Sequence, residues 1–170
     1  RAYVGEQSIP DLIGSIQNRI NYKGLALDFI FTFSQGGKIL DNGYAGLMHT
    51  GDYGDAYHPD ALNAWRNPGD ITSVPRLENG NSNQVQTQST RFLTDASFVA
   101  LRNVNLSYTF NTDISERLGF ENLRLFVAGE NLYFNSERNG LNPQYNLAGT
   151  GSGNDYNPSR VVSFGVNVSF

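Results

Sequence analysis

Cysteine is absent from the 170 residues, lysine occurs twice, and methionine and tryptophan occur once each. Without thiols there is neither a disulfide framework nor a thiolate metal site. That absence suits the cytosol and also proteins that cross an oxidising periplasm, so it leaves the compartment open. Charge is sparse: 16% of residues, against roughly 25% in ordinary globular domains. The net charge of −4 offers no basic footprint, and no nucleic-acid partner is expected. No run of 18 apolar residues occurs; the best stretch, LALDFIFTF, carries Asp28, which excludes a transmembrane helix. The two histidines, His49 and His58, share one Gly-rich loop with no nucleophile pattern beside them. No catalytic constellation and no histidine metal site are expected. The opening RAYVGEQ has no basic-then-apolar leader and no Met, so the chain is expected to be a piece of something longer.

Glycine (18), phenylalanine (11) and tyrosine (9) are abundant. Many aromatics and turn formers with few charges indicate a β protein rather than a helical bundle or a disordered chain. Five segments alternate with period two: Leu12–Tyr22, Leu25–Ser34, Phe98–Phe110, Leu123–Phe134 and the closing VVSFGVNVSF. Each has about 10 to 13 residues, well above the usual mode of about 5–6. Such lengths suit tilted strands that cross a bilayer, which need about 9–11 residues.

The connections alternate too. Short ones lie at Tyr22–Leu25 and Asn111–Asn122; long ones run Gln35–Ala96 and Asn135–Arg160. Transmembrane barrels pair short periplasmic turns with long outer loops, and that parity is kept here throughout if Phe170 is periplasmic. One short helix is expected at PDALNAW, where Pro59 suits the first helical position. NGNSNQVQTQST is polar and low in complexity. GTGSG, Gly149–Gly153, reads as a flexible loop, since no strand-to-helix step with a lysine follows.

Periodicity alone does not separate a soluble sandwich, whose apolar face meets a core, from a barrel whose apolar face meets lipid. Three signs favour lipid. The polar face is neutral, with scattered Asp28, Arg124 and Glu130 that are expected to pair with one another or with a plug. Aromatics gather at strand ends: Tyr22, Tyr108, Phe110 and Phe170 at one level, Phe33, Tyr133 and Phe134 towards the other. The terminal Phe170 then finds a place at the inner interface. Arg102 resists, because parity puts it on the lipid face, roughly 19 Å up a band about 25 Å tall. Either it snorkels at the rim or a bulge flips the register. Five strands cannot close into a barrel, so a larger object is implied.

In order, NYKGLALDFIFTFSQGGKI, AWRNPGDITSVPRL, TDASFVALRNVNLSYTF, GFENLRLFVAGENLYF, NGLNPQY and SFGVNVSF resemble the C-terminal end of the SusC/RagA-like TonB-dependent outer-membrane transporters. The resemblance covers nearly the whole chain, residues 1–170. It departs at Asn139, where the family usually has an aromatic, and at Gln144, where it usually has an acid. The fold it implies is all-β, about five antiparallel strands of a 22-stranded transmembrane barrel with long extracellular loops; plug and earlier strands are absent. It implies import of glycan or peptide oligomers across the bacterial outer membrane. The implied partners are a SusD-like surface lipoprotein as lid, TonB acting through the missing plug, and the barrel-assembly machinery. For the last, Val162, Phe164, Val166, Val168 and Phe170 fit a C-terminal insertion signal.

Tyr44, Tyr53, Tyr57 and Trp65 are the candidate contacts for substrate or lid, since aromatic faces suit sugars and protein interfaces; packing of the loop against itself is the simpler role. Asp52–Asp55 (DYGD), Asp60 and Asp70 offer oxygen ligands for Ca²⁺, though the EF-hand spacing is missing and turn formation explains them as well. The competing functions are a soluble β-sandwich carbohydrate-binding module, a siderophore-type TonB-dependent receptor and an inert structural barrel or adhesin end. No enzyme activity is expected.

Overall fold

A computed structural model describes residues 5–50, 53–78, 85, 87–145, 149–151 and 157–170. The alternating segments are strands: β1 (Leu12–Tyr22), β2 (Leu25–Gln35), β5 (Phe98–Thr109), β6 (Asn122–Ser136) and β8 (Val161–Ser169). They form one antiparallel sheet in the order β1-β2-β5-β6-β8, so neighbours in space follow one another in the chain once the long connections are set aside. β1 and β2 are joined by Lys23-Gly24, both with positive φ, the geometry of a two-residue hairpin whose twist matches its strands. A Cβ at Gly24 would lie 2.5 Å from the Thr109 carbonyl oxygen, so only glycine lets this turn sit against the end of β5.

Cross-strand register assigns the faces. Leu27, Phe29 and Phe31 of β2 lie opposite Ile20, Asn18 and Ile16 of β1, and Leu27 and Phe29 lie opposite Leu106 and Val104 of β5. Leu106 faces Val127 of β6, which faces Phe164 of β8. No second sheet covers this apolar face among the described residues: Leu106 is 42%, Val127 40% and Phe164 79% exposed. The opposite face carries Arg19 paired with Asp28, and Arg124 donating to the Ser107 hydroxyl at 2.9 Å. Phe126 lies over Gly165 on that side, where an added Cβ would come within 2.2 Å of the ring.

Arg102 is placed by a bulge, not by snorkelling. Ile30 pairs with Asn103 and the next residue, Phe31, with Leu101, so Arg102 is the extra residue of β5. The β6 strand is irregular at the same level, with Asn131 at φ +50°. Above the bulge the parity of β5 reverses, so Val99 and Leu101 stay on the apolar face and Arg102 turns to the polar one. There its Nε donates to Thr32 Oγ1 at 3.3 Å and its Nη1 to Asn131 Oδ1 at 3.4 Å. Phe134 also departs from expectation: it pairs with Ala100 and packs on Phe98 across 5.9 Å on the polar face, outside the apolar girdle.

The connections hold more structure than their composition announces. The first long one contains β3 (Lys38–Asp41), α1 (Asn42–Leu47), 3₁₀ turns at Pro59–Asn63 and Thr90–Phe92, and β4 (Leu93–Asp95). The helix expected at PDALNAW is thus a 3₁₀ turn that stops at Asn63. The second long connection contributes a 3₁₀ turn at Pro143–Tyr145 and β7 (Thr150–Gly151). β7 pairs in parallel with β3, giving a small sheet in the order β4-β3-β7. Thr150 and Gly151 therefore belong to a strand, not to a free glycine loop; Ser152 and Gly153 lie outside the described residues, as does most of NGNSNQVQTQST. The short connection after β5 folds as α2 (Thr112–Arg117).

Hydrophobic burial is concentrated in these connections. One cluster comprises Ala45, Met48, Ala61, Ala64, Val74 and Phe92, with Leu40 and Tyr44 against it; Ile39, Ala96 and Leu141 form another. Of the buried apolar residues described, Ala100 alone belongs to the five-stranded sheet.

Candidate functional site

The site is built where the two long connections meet. Asp41 ends β3 and caps α1, its Oδ1 accepting from the Tyr44 N–H at 2.9 Å. That cap sets the Tyr44 ring against Phe92 (5.9 Å) and His58 (4.7 Å), both edge to face. The Tyr44 hydroxyl donates to Asp60 Oδ2 at 2.7 Å. His58 in turn caps the 3₁₀ turn, its Nδ1 accepting from the Asp60 N–H at 3.2 Å.

Arg138 arrives from the second connection and closes the node. Its guanidinium lies over the Tyr44 ring, 3.6 Å from the centroid, and its Nε stands 3.2 Å from Asp41 Oδ2. The Asp41 contact is between charges and lacks hydrogen-bond alignment. A more distant contact, 3.9 Å, reaches Asp60. Burial, together with the Asp60 carboxylate, pushes the Tyr44 phenol above its ordinary pKa. A cavity of about 390 Å³ opens beside the node, bounded by Asp41, Tyr44, Leu47, His58, Arg138 and Leu141 among others.

Of the aromatics singled out from the sequence, Tyr44 is the centre of this node. Tyr57 stacks on His49 at 4.2 Å and keeps an exposed edge. Tyr53 projects fully into solvent, at 105% exposure. Trp65 is half-buried and its backbone N–H donates to the Val74 carbonyl. Among the described residues no ring contact joins Tyr53 or Trp65 to the other two. Asp60 is engaged by Tyr44. Asp70 accepts from the N–H groups of Asn67 (2.8 Å) and Arg66 (2.9 Å), which hold its pKa below the usual carboxylate range. Asp52 lies outside the described residues, among which no group of three or more His, Cys, Asp or Glu is placed to hold a metal.

Sequence reasoning missed Arg138 and Asp41. Arg138 stands 97 positions from Asp41, and the β3–β7 pairing brings their connections together. The available signal was the scarcity of charge itself: with 12 basic residues in the chain, an arginine in a Gly/Asn-rich loop is notable.

The closing strand keeps Val162, Phe164, Val166 and Val168 on the exposed apolar face, and the Phe170 ring packs edge to face on Phe120 at 5.3 Å.

No family model matches the chain. Over its whole length it is 31% identical to TonB-dependent receptor P39 of Formosa agariphila and 28% identical to TonB-dependent receptor P3 of the same organism. The chain spans 17% of the length of each of these relatives. Among solved structures, 98% of the chain superposes on the RagAB peptide importer in its closed-closed state, with TM-score 0.78 and 25% identity, over 18% of that protein's chain. The open-open state of the same importer gives a TM-score of 0.74. The order of strands, the uncovered apolar face and an identity of 31% along the full chain agree: the chain belongs to the TonB-dependent receptors, in their SusC/RagA-like group.

Proposed function

We propose that the chain is part of an outer-membrane barrel that imports glycan or peptide oligomers with energy from TonB. The observation that carries this reading is the largely apolar face that crosses the five strands with no second sheet against it among the described residues. Water would make that surface costly, at roughly 25 cal/mol per Å² of apolar area left exposed, whereas hydrocarbon removes the cost. Both long connections leave one end of the sheet and become the outer face. The polar face, with Arg19–Asp28 and Arg124–Ser107, lines the lumen opposite a plug supplied by the rest of the protein.

A SusD-like lipoprotein is the partner for the outer body, and the exposed Tyr53 is the best placed of the four aromatics to meet it or the cargo. The similarity to RagAB, a peptide importer, supports oligomers over small metal chelates. The last strand, with Phe170 at its end, serves the assembly machinery as the insertion signal. The test is uptake by cells that carry the full-length importer. Labelled oligopeptides and oligosaccharides are offered with and without TonB, alongside an iron–siderophore. TonB-dependent accumulation of an oligomer supports the reading; accumulation of the siderophore alone overturns it.

A further inference from the structure

A second cleft, about 390 Å³, opens on the lumen side below the Tyr44 node, where β6 runs past the start of β8. The described residues of its wall include three arginines, Arg102, Arg138 and Arg160, and among them there is no carboxylate. Arg138 is balanced by Asp41, whereas the other two make no ion pair among the described residues. Arg102 is half-buried, and both of its partners, Thr32 and Asn131, are neutral and distant at 3.3 and 3.4 Å. Glu130 lies across the β5–β6 pair at the bulge, opposite Asn103, yet no ion pair joins it to Arg102. Arg160 is exposed and makes no ion pair among the described residues. The Asn142 Nδ2 is buried on the same wall without an acceptor, while its Oδ1 is taken by the Gln144 N–H.

Among the described residues these are donors without an anionic partner, in a chain that otherwise spends few charges. Guanidinium groups match a carboxylate through paired N–H donors, and partial burial strengthens such bonds. The bulge is what aims one of them inward: with regular pairing Arg102 would point to the apolar face. We propose that this cleft is an anion subsite on the cargo path, in which Arg102 and Arg160 hold a carboxylate of the transported oligomer and Asn142 adds a neutral donor. The proposal rests on the importer reading and narrows it to acidic cargo, either a uronic-acid sugar or a peptide with acidic side chains.

Two matched pairs of probes separate the sources. Purified full-length importer in detergent is titrated calorimetrically with a hexagalacturonate and its methyl ester, and with a Glu-containing octapeptide and its Gln counterpart. The acidic member of at least one pair is expected to bind about ten-fold or more tightly, and raised salt is expected to shrink the difference. Arg102→Gln should abolish the preference for the acidic member. Arg160→Gln, at an exposed position, should reduce the preference and serves if the first variant fails to accumulate. Equal affinity within both pairs, or a preference that survives both substitutions, overturns the subsite. The importer reading is judged separately, by whether cells take up any of the four probes.

Discussion

Tyr44 carries two jobs on one side chain: its ring receives Arg138 and its hydroxyl binds Asp60. A phenol donating to a carboxylate is a charge-assisted bond, so Tyr44→Phe should cost the outer body about 1.5–3 kcal/mol while sparing the ring contacts. Hydrogen exchange of residues 40–64 in the full-length protein reads that loss as faster local opening. The pH dependence has a definite sign. The folded phenol titrates above its unfolded value, so the folded state holds the proton more tightly; the stabilisation is complete below about pH 10 and is lost as pH rises through the folded pKa. Tyr44→Phe should remove this alkaline sensitivity. If the variant's exchange rates rise with pH as steeply as those of the parent, the Asp60 bond is not what holds the loop.

At the scale of elements, the β5 bulge decides which side chains face which way. Deleting Arg102 restores regular alternation from Val104 through Asn103 to Leu101, so every remaining residue of β5 keeps its face. Deleting Asn105, inside regular pairing, forces one side of the strand to swap faces. The expected outcome is that the Arg102 deletion reaches the outer membrane as a folded, heat-modifiable band at a substantial fraction of the parent level, and the Asn105 deletion does not. Equal loss in both would mean that the bulge does not set the register. The small sheet β4-β3-β7 works differently. It ties the two long connections together through two residues of each, Leu40 with Thr150 and Asp41 with Gly151. This short pairing is what lets Arg138 reach Tyr44.

For the molecule as a whole, the environment of each face is the governing quantity. The five strands bury almost nothing of their own, and their stability is that of a sheet held by backbone hydrogen bonds between lipid and lumen. Val166 and Asn167 are adjacent in β8 but lie on opposite faces. Arginine on a lipid face costs about 2–4 kcal/mol near the midplane, whereas a polar lumen accepts it. Val166→Arg in the full-length protein should therefore lower the folded level in the outer membrane far more than Asn167→Arg, read on isolated membranes. Comparable losses at both positions would remove the distinction between the faces. Strands β1 and β8 have no further strand neighbour among the described residues, and in lipid such edges require pairing with the remainder of the barrel.

Alternation, strand length and the parity of short and long connections are local properties, and for that reason the sequence determined the strands to within one or two residues at their ends and the outward face of four of them. It also carried the family. What it did not determine is non-local. Arg102 read as lipid-facing because period two was extended through a bulge, and a bulge is a mismatch between two strands that neither strand shows alone. The polar composition of Gln35–Ala96 hid a core of small residues, Ala45, Ala61 and Ala64, closed by Phe92, which becomes apolar only once those positions are brought together. Tyr44 was legible as an aromatic of interest, but Arg138 over its ring was not. Only the tertiary structure decides that contact, because hydrophobic periodicity acts over a few residues along the chain, whereas charge pairing and packing act over a few ångströms in space.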